Sequence, residues 1–295
     1  METAPLDDGS SYAGNGGRRR NYFLFSVDVE DVRDAIPHGH GYREAVPENT
    51  LRYLDWLDQV GSKCTFFVVG RTAESYPDLI REIIHRGHEI GCHSHSHVHL
   101  TDLGKRNFQA DLERNIESLV KCGATEIAGF RAPTFSLIEA TQWAYGILKA
   151  LKFRYSSSVL PARNPLFGWR GFEGERHIQG IHEIPATIGF FPFRIPFAGG
   201  VYFRCLPRTI LNRLFDDAGS RLSPVIGYFH PYDIDTRQER FMHPHLGNNR
   251  LLNSLMYVNR DEVFERLDQV LRKGFTIISY RKYVALRGAT VGTTS

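Results

Sequence analysis

The sequence predicts an α/β fold in a single domain, built on a mainly parallel sheet or barrel. Three observations predict it. Short apolar, β-branched or aromatic runs alternate with stretches of helical spacing at least four times, which is the pattern of repeated βα units. Several of the apolar runs end in acids, histidines or an arginine, as strand ends do where α/β folds place their chemistry. No linker divides the 295 residues, a length that suits one large domain or two small ones.

Residues 1–20 carry Gly, Ser, Asp and Arg without an apolar core, and read as a disordered segment preceding a domain at 21–285. The run 22–28 is apolar and aromatic and reads as a buried strand that ends in Asp28, Glu30 and Asp31. Residues 33–47 are loop-like. The stretch 49–60 is helical, with Leu51, Leu54 and Leu57 on one face. A second strand, 64–70, leads to a helix at 77–86 that opens with Pro77. A short strand at 89–91 delivers a histidine cluster. Thr101 or Asp102 can cap a long helix to Cys122 carrying Leu112, Ile116 and Leu119, with Gly123 as its stop. A strand at 127–130 runs into Arg131, followed by a helix at 139–151 and a strand at 153–156. The stretch 160–202 is rich in Pro, Gly and aromatics and reads as a wall without regular structure. Regularity returns with a helix at 207–218 and a strand at 224–229 that ends at His230. A polar loop to about residue 259, a helix at 261–273 and a strand at 275–278 follow, and 286–295 read as a flexible tail.

Composition narrows the function classes. The formal net charge is +3, and apart from Arg18-Arg19-Arg20 the basic residues are scattered, which argues against nucleic acid as a partner. The four cysteines have no zinc-finger or CxxC spacing and read as reduced, buried side chains. The first twenty residues lack an apolar signal region and no run approaches a membrane span, so the expectation is a cytoplasmic protein, with peripheral contact to a membrane-linked substrate left open.

Five of the thirteen histidines fall within residues 87–100. Imidazole is the commonest protein ligand for transition metals, and histidines packed this densely would build a poor apolar core. If the segment is extended, His93, His95, His97 and His99 all point one way; if it turns after His93, then His93 and His97 share a face and His95 points away. Asp28 and Glu30 share a strand face, while Asp31 lies on the other. In a parallel barrel Asp28-Val29-Glu30-Asp31, the histidine cluster, Arg131 and His230 would meet at one end. Two histidines and a carboxylate, with positions left open, form a catalytic rather than structural metal set.

In these pieces the chain resembles the polysaccharide deacetylases of the NodB-homology class, carbohydrate esterase family 4-like, and most resembles the branch of exopolysaccharide and lipopolysaccharide loci. The resemblance rests on Ser26-Val27-Asp28-Val29-Glu30-Asp31, Thr65-Phe66-Phe67-Val68-Val69-Gly70, Gly87-His88-Glu89-Ile90-Gly91-Cys92-His93 with His97, and Gly129-Phe130-Arg131-Ala132-Pro133. It continues through Glu183-Ile184-Pro185-Ala186-Thr187, Phe197 to Arg204, and Phe229-His230-Pro231. It implies a deformed (β/α)7-type barrel and a divalent metal, Zn2+ by preference, held by His93, His97 and Glu30, with Asp31 as the fallback. It also implies Asp28 as the catalytic base, Arg131 as the group that orients it, and His230 as the acid that protonates the departing amine. His95 and His99 are then bystanders.

The implied activity is hydrolysis of an N-acetyl group from an amino sugar in a polysaccharide or its precursor, releasing acetate and a free amine. Two departures from the family pattern stand out. Tyr155-Ser156-Ser157-Ser158 lacks the acid that many relatives carry there, which leaves the partner of His230 open, with Glu183 as a candidate. Asp28-Val29-Glu30 replaces an adjacent acidic pair. Trp169, Phe172, Tyr202 and Tyr232 are candidates to stack on sugar rings, Pro133 to line the same wall, and Arg204 to meet a carboxylate or phosphate. The apolar run 190–197 suits contact with a lipid carrier. Two other functions fit the same residues: hydrolysis of a small non-sugar amide or cyclic imide, and sugar binding without turnover.

Overall fold

The computed structural model describes residues 21–162, 168–189, 194–221, 223–244 and 246–291. The first apolar run forms two short strands, β1 (Asn21–Leu24) and β2 (Ser26–Val29), parted at Phe25. They are followed by β3 (Thr65–Val68), β4 (Glu89–Cys92), β5 (Gly129–Phe130), β6 (Tyr155–Ser156), β7 (Arg176–Ile178), β8 (Ile181–Glu183), β9 (Val225–Ile226) and β10 (Phe275–Ile277). One sheet has the order β2-β3-β4-β5-β6-β8-β7 and a smaller one the order β10-β1-β9. Every pairing between these strands is parallel except the β7–β8 hairpin. The crossovers are helical: Val46–Gln59 joins β2 to β3, Pro77–His85 leads into β4, and Leu100–Lys121 joins β4 to β5.

The segment after β9 ties the two sheets together. Ser26 N–H donates to Gly227 O, Asp28 N–H donates to Phe229 O at 2.7 Å, and Val27 bridges to Phe229 in parallel. Among the described residues the ladder does not close into a barrel. The seam between the β8 and β9 sides is spanned by a side chain: Thr187 Oγ1 accepts the Ile226 N–H at 2.8 Å and donates to Pro224 O. The barrel expected from the sequence is therefore an open one, because β8 is only three residues long and its continuation through Pro185 cannot offer a full row of donors.

The largest apolar cluster lies under β1–β3 and the helix Val46–Gln59, where Phe23, Phe25, Leu54, Leu57, Phe66 and Phe229 are fully buried. The Phe25 and Phe229 rings lie 5.1 Å apart, so the strands carrying Asp28 and His230 share one core. Each such ring contributes roughly 1.5–3 kcal/mol by leaving water. Inside the sheet Gly129 leaves room for the Tyr155 ring, since a Cβ there would overlap it. The β7–β8 hairpin lies in the stretch read as wall. Its turn residues Gln179 and Gly180 both have positive φ, 51° and 87°, the signature of a two-residue type I′ turn. No helix among the described residues is long and apolar enough to cross a membrane.

Candidate active site

Asp28 and Arg131 form the innermost part of the site. Arg131 leaves β5 fully buried and uses all five of its N–H donors. Nη1 donates to Asp28 Oδ1 (2.7 Å) and Ser26 Oγ (2.6 Å), Nη2 to Tyr280 Oη (2.6 Å) and Ser157 Oγ (3.1 Å), and Nε to Ser157 O (3.1 Å). Its guanidinium lies 4.2 Å from the centre of the Phe67 ring. Burial opposes its charge, but the charge and hydrogen bond of Asp28, with Tyr280 and Tyr155 beside it, together outweigh burial and raise its pKa. The arginine therefore holds one oxygen of Asp28 in place. The other oxygen, Oδ2, lies 3.9 Å from His93 Nε2.

Glu30 follows Asp28 at the end of the first strand run. Its Oε2 lies 2.5 Å from His97 Nε2 and 3.9 Å from His93 Nε2. Among the described residues Glu30, His93 and His97 form the group with the geometry to hold a metal ion, their ligand atoms all lying within 4.8 Å of one another. His93 Nδ1 is 2.8 Å from Arg131 O. A carbonyl can only accept, so Nδ1 carries the proton and Nε2 presents its lone pair toward Glu30 and His97. Burial pushes the His93 pKa down to about 4, which keeps the ring neutral. Burial also acts on Glu30, but the charge and hydrogen bond of His97, with His230 and His93 beyond, hold it well below the usual carboxylate range. His97 is correspondingly raised by Glu30 against the effect of burial.

The chain turns after His93 rather than staying extended. Ser94 and His97 both have positive φ, 60° and 55°, and Ser94 Oγ accepts the His97 N–H at 2.9 Å. His95 is thereby directed to the other side, buried against Gly70 with Nε2 3.8 Å from Glu74. His99 Nε2 sits 3.2 Å from Thr134 Oγ1. Asp31 faces away from the histidines, as strand alternation predicts: it takes Arg33 Nε and Nη2 and the Tyr76 hydroxyl, and caps the short helix Val32–Ala35.

His230 ends the extended segment after β9, with Nε2 3.8 Å from Glu30 Oε1. Its partner is Asp233. Asp233 Oδ2 lies 2.9 Å from His230 Nδ1 and also accepts the His230 backbone N–H at 2.9 Å, while Asp233 N–H donates back to His230 O. Asp233 Oδ1 in turn accepts from Arg204 Nε at 3.0 Å, and both residues are fully buried. Burial raises the Asp233 pKa, but the Arg204 charge and the His230 hydrogen bond pull it down to about 2. Burial lowers His230, yet the hydrogen bond and charge of Asp233, with the charges of Glu30 and Asp28, push it up to about 9. The Tyr232 ring stacks on His230, 4.7 Å between centroids and 6° from parallel.

This arrangement corrects two expectations. Glu183 does not reach His230. Its Oε1 accepts the N–H groups of Ser158 and Val159, and Tyr145 donates to its Oε2, so it fixes the serine turn. Arg204 does not face a substrate anion, because it is consumed by Asp233 and Val258 O. The missed acid had a signal in the sequence. His230-Pro231-Tyr232-Asp233 has proline at the first position of a helical turn and an acid at its third, the spacing of a capping box.

The remaining wall residues divide. Phe172 is buried and Trp169 half-buried, their rings 5.1 Å apart against the cluster around β5 and β6. Pro133 is buried at the start of a tight turn, and Tyr202 is half-buried on the helix Gly200–Cys205. Residues 190–193 of the apolar run lie outside the described residues, and Phe197 belongs to the main core.

Residues 34–155 match the family model described as polysaccharide deacetylase, and residues 157–285 match one described as a domain of unknown function (DUF3473). The chain is 31% identical over 98 residues to a peptidoglycan-N-acetylglucosamine deacetylase of Bacillus cereus, covering 33% of this chain and 36% of that protein. It is 32% identical over 107 residues to chitin deacetylase 1 of Saccharomyces cerevisiae, covering 36% and 35%. It thus spans only about a third of the length of these relatives. Its fold is similar to that of a Mycobacterium smegmatis protein proposed to be a polysaccharide deacetylase, with a TM-score of 0.58 at 18% identity over 98% of this chain and 96% of that one. It is also similar to a CE4 family pseudoenzyme from Bacillus anthracis, with a TM-score of 0.52 at 12% identity over 89% and 65%.

Proposed function

We propose that this chain, which belongs to the polysaccharide deacetylase family, is a metal-dependent hydrolase that removes an N-acetyl group from an amino sugar in a polysaccharide or its precursor. The observation that carries this reading is the meeting, around Glu30, of His93 and His97 on one side and His230 on the other. The donor set fits a divalent metal. Two imidazole nitrogens and one carboxylate suit zinc, and the His93 tautomer is already fixed for ligation by Arg131 O. Glu30, His93 and His97 would hold the ion, which when bound polarises the acetamide carbonyl and makes attacking water more acidic.

The protein groups divide the proton work. Asp28, anchored through one oxygen by Arg131, has its other oxygen available to take a proton from water as the water oxygen bonds to the carbonyl carbon. His230, held charged by Asp233, gives a proton to the amide nitrogen as the C–N bond breaks. The nitrogen leaves as an amine rather than an amide anion, and the other product is acetate. Tyr232, stacked on His230, limits the freedom of the ring.

An amino-sugar substrate is supported by relatives named for peptidoglycan-N-acetylglucosamine and chitin deacetylation, and an exopolysaccharide or lipopolysaccharide precursor is the substrate class we favour. The test is mass spectrometry of N-acetylated oligosaccharides and lipid- or nucleotide-linked N-acetyl sugars with zinc-loaded and chelator-stripped protein. The expected result is a zinc-dependent loss of about 42 Da per site with release of acetate. Turnover that persists after complete chelation would overturn the metal-dependent mechanism. Ring opening of a cyclic imide without acetate release would favour the small-amide reading.

A further inference from the structure

The helix Leu100–Lys121 makes a set of contacts that the reaction above does not use. Asp111 reaches from this helix to the turn that carries the histidines. Its Oδ2 accepts the His95 N–H at 2.6 Å, and its Oδ1 accepts the Ser96 N–H at 3.0 Å and the Ser96 hydroxyl at 2.5 Å. One helical turn on, the fully buried Asn115 donates from Nδ2 to Val68 O at 3.0 Å and to Ser94 O at 2.5 Å. One helix face therefore grips both sides of the 93–97 turn and ties it to the end of β3.

The turn needs such a grip. Ser94 and His97 sit in the left-handed region, which residues with side chains adopt rarely and keep only where their surroundings over-determine it. The Ser94 hydroxyl fixes His97 from inside the turn, and the two N–H groups of His95 and Ser96 converge on its outer side. Converging backbone donors form a natural anion cradle, and here the anion is the protein's own carboxylate. A carboxylate is suited to this place because it only accepts, and it meets three donors at once.

We infer that Asp111 is a positioning residue for the metal site: it holds the 93–97 turn in the conformation that sets His97 Nε2 opposite Glu30, so that the ligand set exists before an ion arrives. The inference rests on the metal-binding reading given above. It assigns Asp111 no contact with substrate and no proton to move. Its effect reaches the site through the backbone of His95 and Ser96 and the Ser96 hydroxyl.

The test is the zinc affinity of the full chain, measured by competition with a chromogenic chelator after metal stripping. The visible spectrum of the cobalt-loaded protein and the unfolding temperature of the metal-free protein are recorded beside it. Asp111→Asn keeps size but turns one acceptor into a donor facing an N–H, and Asp111→Ala removes both acceptors. Both are expected to bind zinc about 10–100-fold more weakly than wild type and to change the cobalt spectrum, as loss of groups that orient ligands does. Ser96→Ala deletes a single contact, should give a smaller loss in the same direction, and carries the test if Asp111→Ala does not fold. Folded variants that lose unfolding temperature but bind zinc as wild type does would show a purely structural role and overturn the inference. Wild-type protein that binds no zinc would overturn the metal reading itself, and with it this inference, a result seen in the wild-type arm alone.

Discussion

Asn at position 233 keeps the shape of the side chain that holds His230 and removes its charge. His230 is pushed up to about 9 from an ordinary 6.5, with Asp233 providing the largest raising effects, and burial works in the opposite direction. With Asp233→Asn the imidazole is expected to return to its ordinary range or below, a fall of about 2 pKa units or more, equivalent to about 3 kcal/mol of imidazolium stabilisation. Near pH 7.5 the protonated fraction would drop from nearly all to about a tenth. The alkaline limb of kcat/KM should therefore move to lower pH, with the deficit narrowing toward pH 5.5. The stability of metal-free protein should respond in the same sense. A folded-state pKa above the unfolded one gives stability that is fully present below 6.5 and is lost as pH rises through about 9, so wild type should lose about 3 kcal/mol over that window and the Asn variant should not. The substitution also leaves the fully buried Arg204 without its counter-charge, a pH-independent cost of about 3–5 kcal/mol. Arg204→Met combined with Asp233→Asn should recover much of that cost without recovering the alkaline limb. An imidazole titration of His230 by NMR that is unchanged in Asp233→Asn would refute the reasoning.

Glu30→Gln should weaken zinc binding and remove zinc-dependent hydrolysis, read by chelator competition and acetate release, while the fold survives because Glu30 lies at the rim rather than in the apolar core. Asp28→Asn should lower kcat by about 10²–10⁴-fold with little change in KM, since it removes proton transfer and not binding. His88 is held down to about 4 by burial, with the charge of Lys63 adding to the effect, so its folded pKa lies below the unfolded 6.5. The associated stability is present above 6.5 and is lost as pH falls toward 4, by up to about 3 kcal/mol. His88→Leu should flatten urea-unfolding midpoints between those pH values.

Alternation made one half of the site legible. A two-residue period put Asp28 and Glu30 on one face and Asp31 on the other, and Arg33 and Tyr76 do occupy Asp31. The periodic elements were legible as well, because Leu54 and Leu57 or Leu112 and Leu119 must share a buried face. The direction of the histidine turn was not, since extended and turned backbones put different rings together, and the choice depends on Asp111 and Asn115 one helix away. With the familiar acid absent at Ser156 the sequence points to a distant partner for His230, whereas a local turn supplies it three residues on. Arg204 reads in the sequence as a candidate to meet a substrate carboxylate or phosphate, and only the fold reveals that it is spent on Asp233. The β7–β8 hairpin escaped because its strands are three residues long, too short for periodicity to register.

The hydrogen bond from Asp28 N–H to Phe229 O acts as a ruler. It fixes the strand that ends in the proposed base against the strand that ends in the proposed acid, one residue before His230. A single-residue insertion or deletion between 224 and 229 would turn His230 to the opposite face of the sheet, and a two-residue slip would restore the face but shift the ring about 7 Å along the strand. Length changes in that short stretch should be tolerated far less than equal changes in the exposed part of the loop around 246–249, although neither stretch needs to touch a substrate.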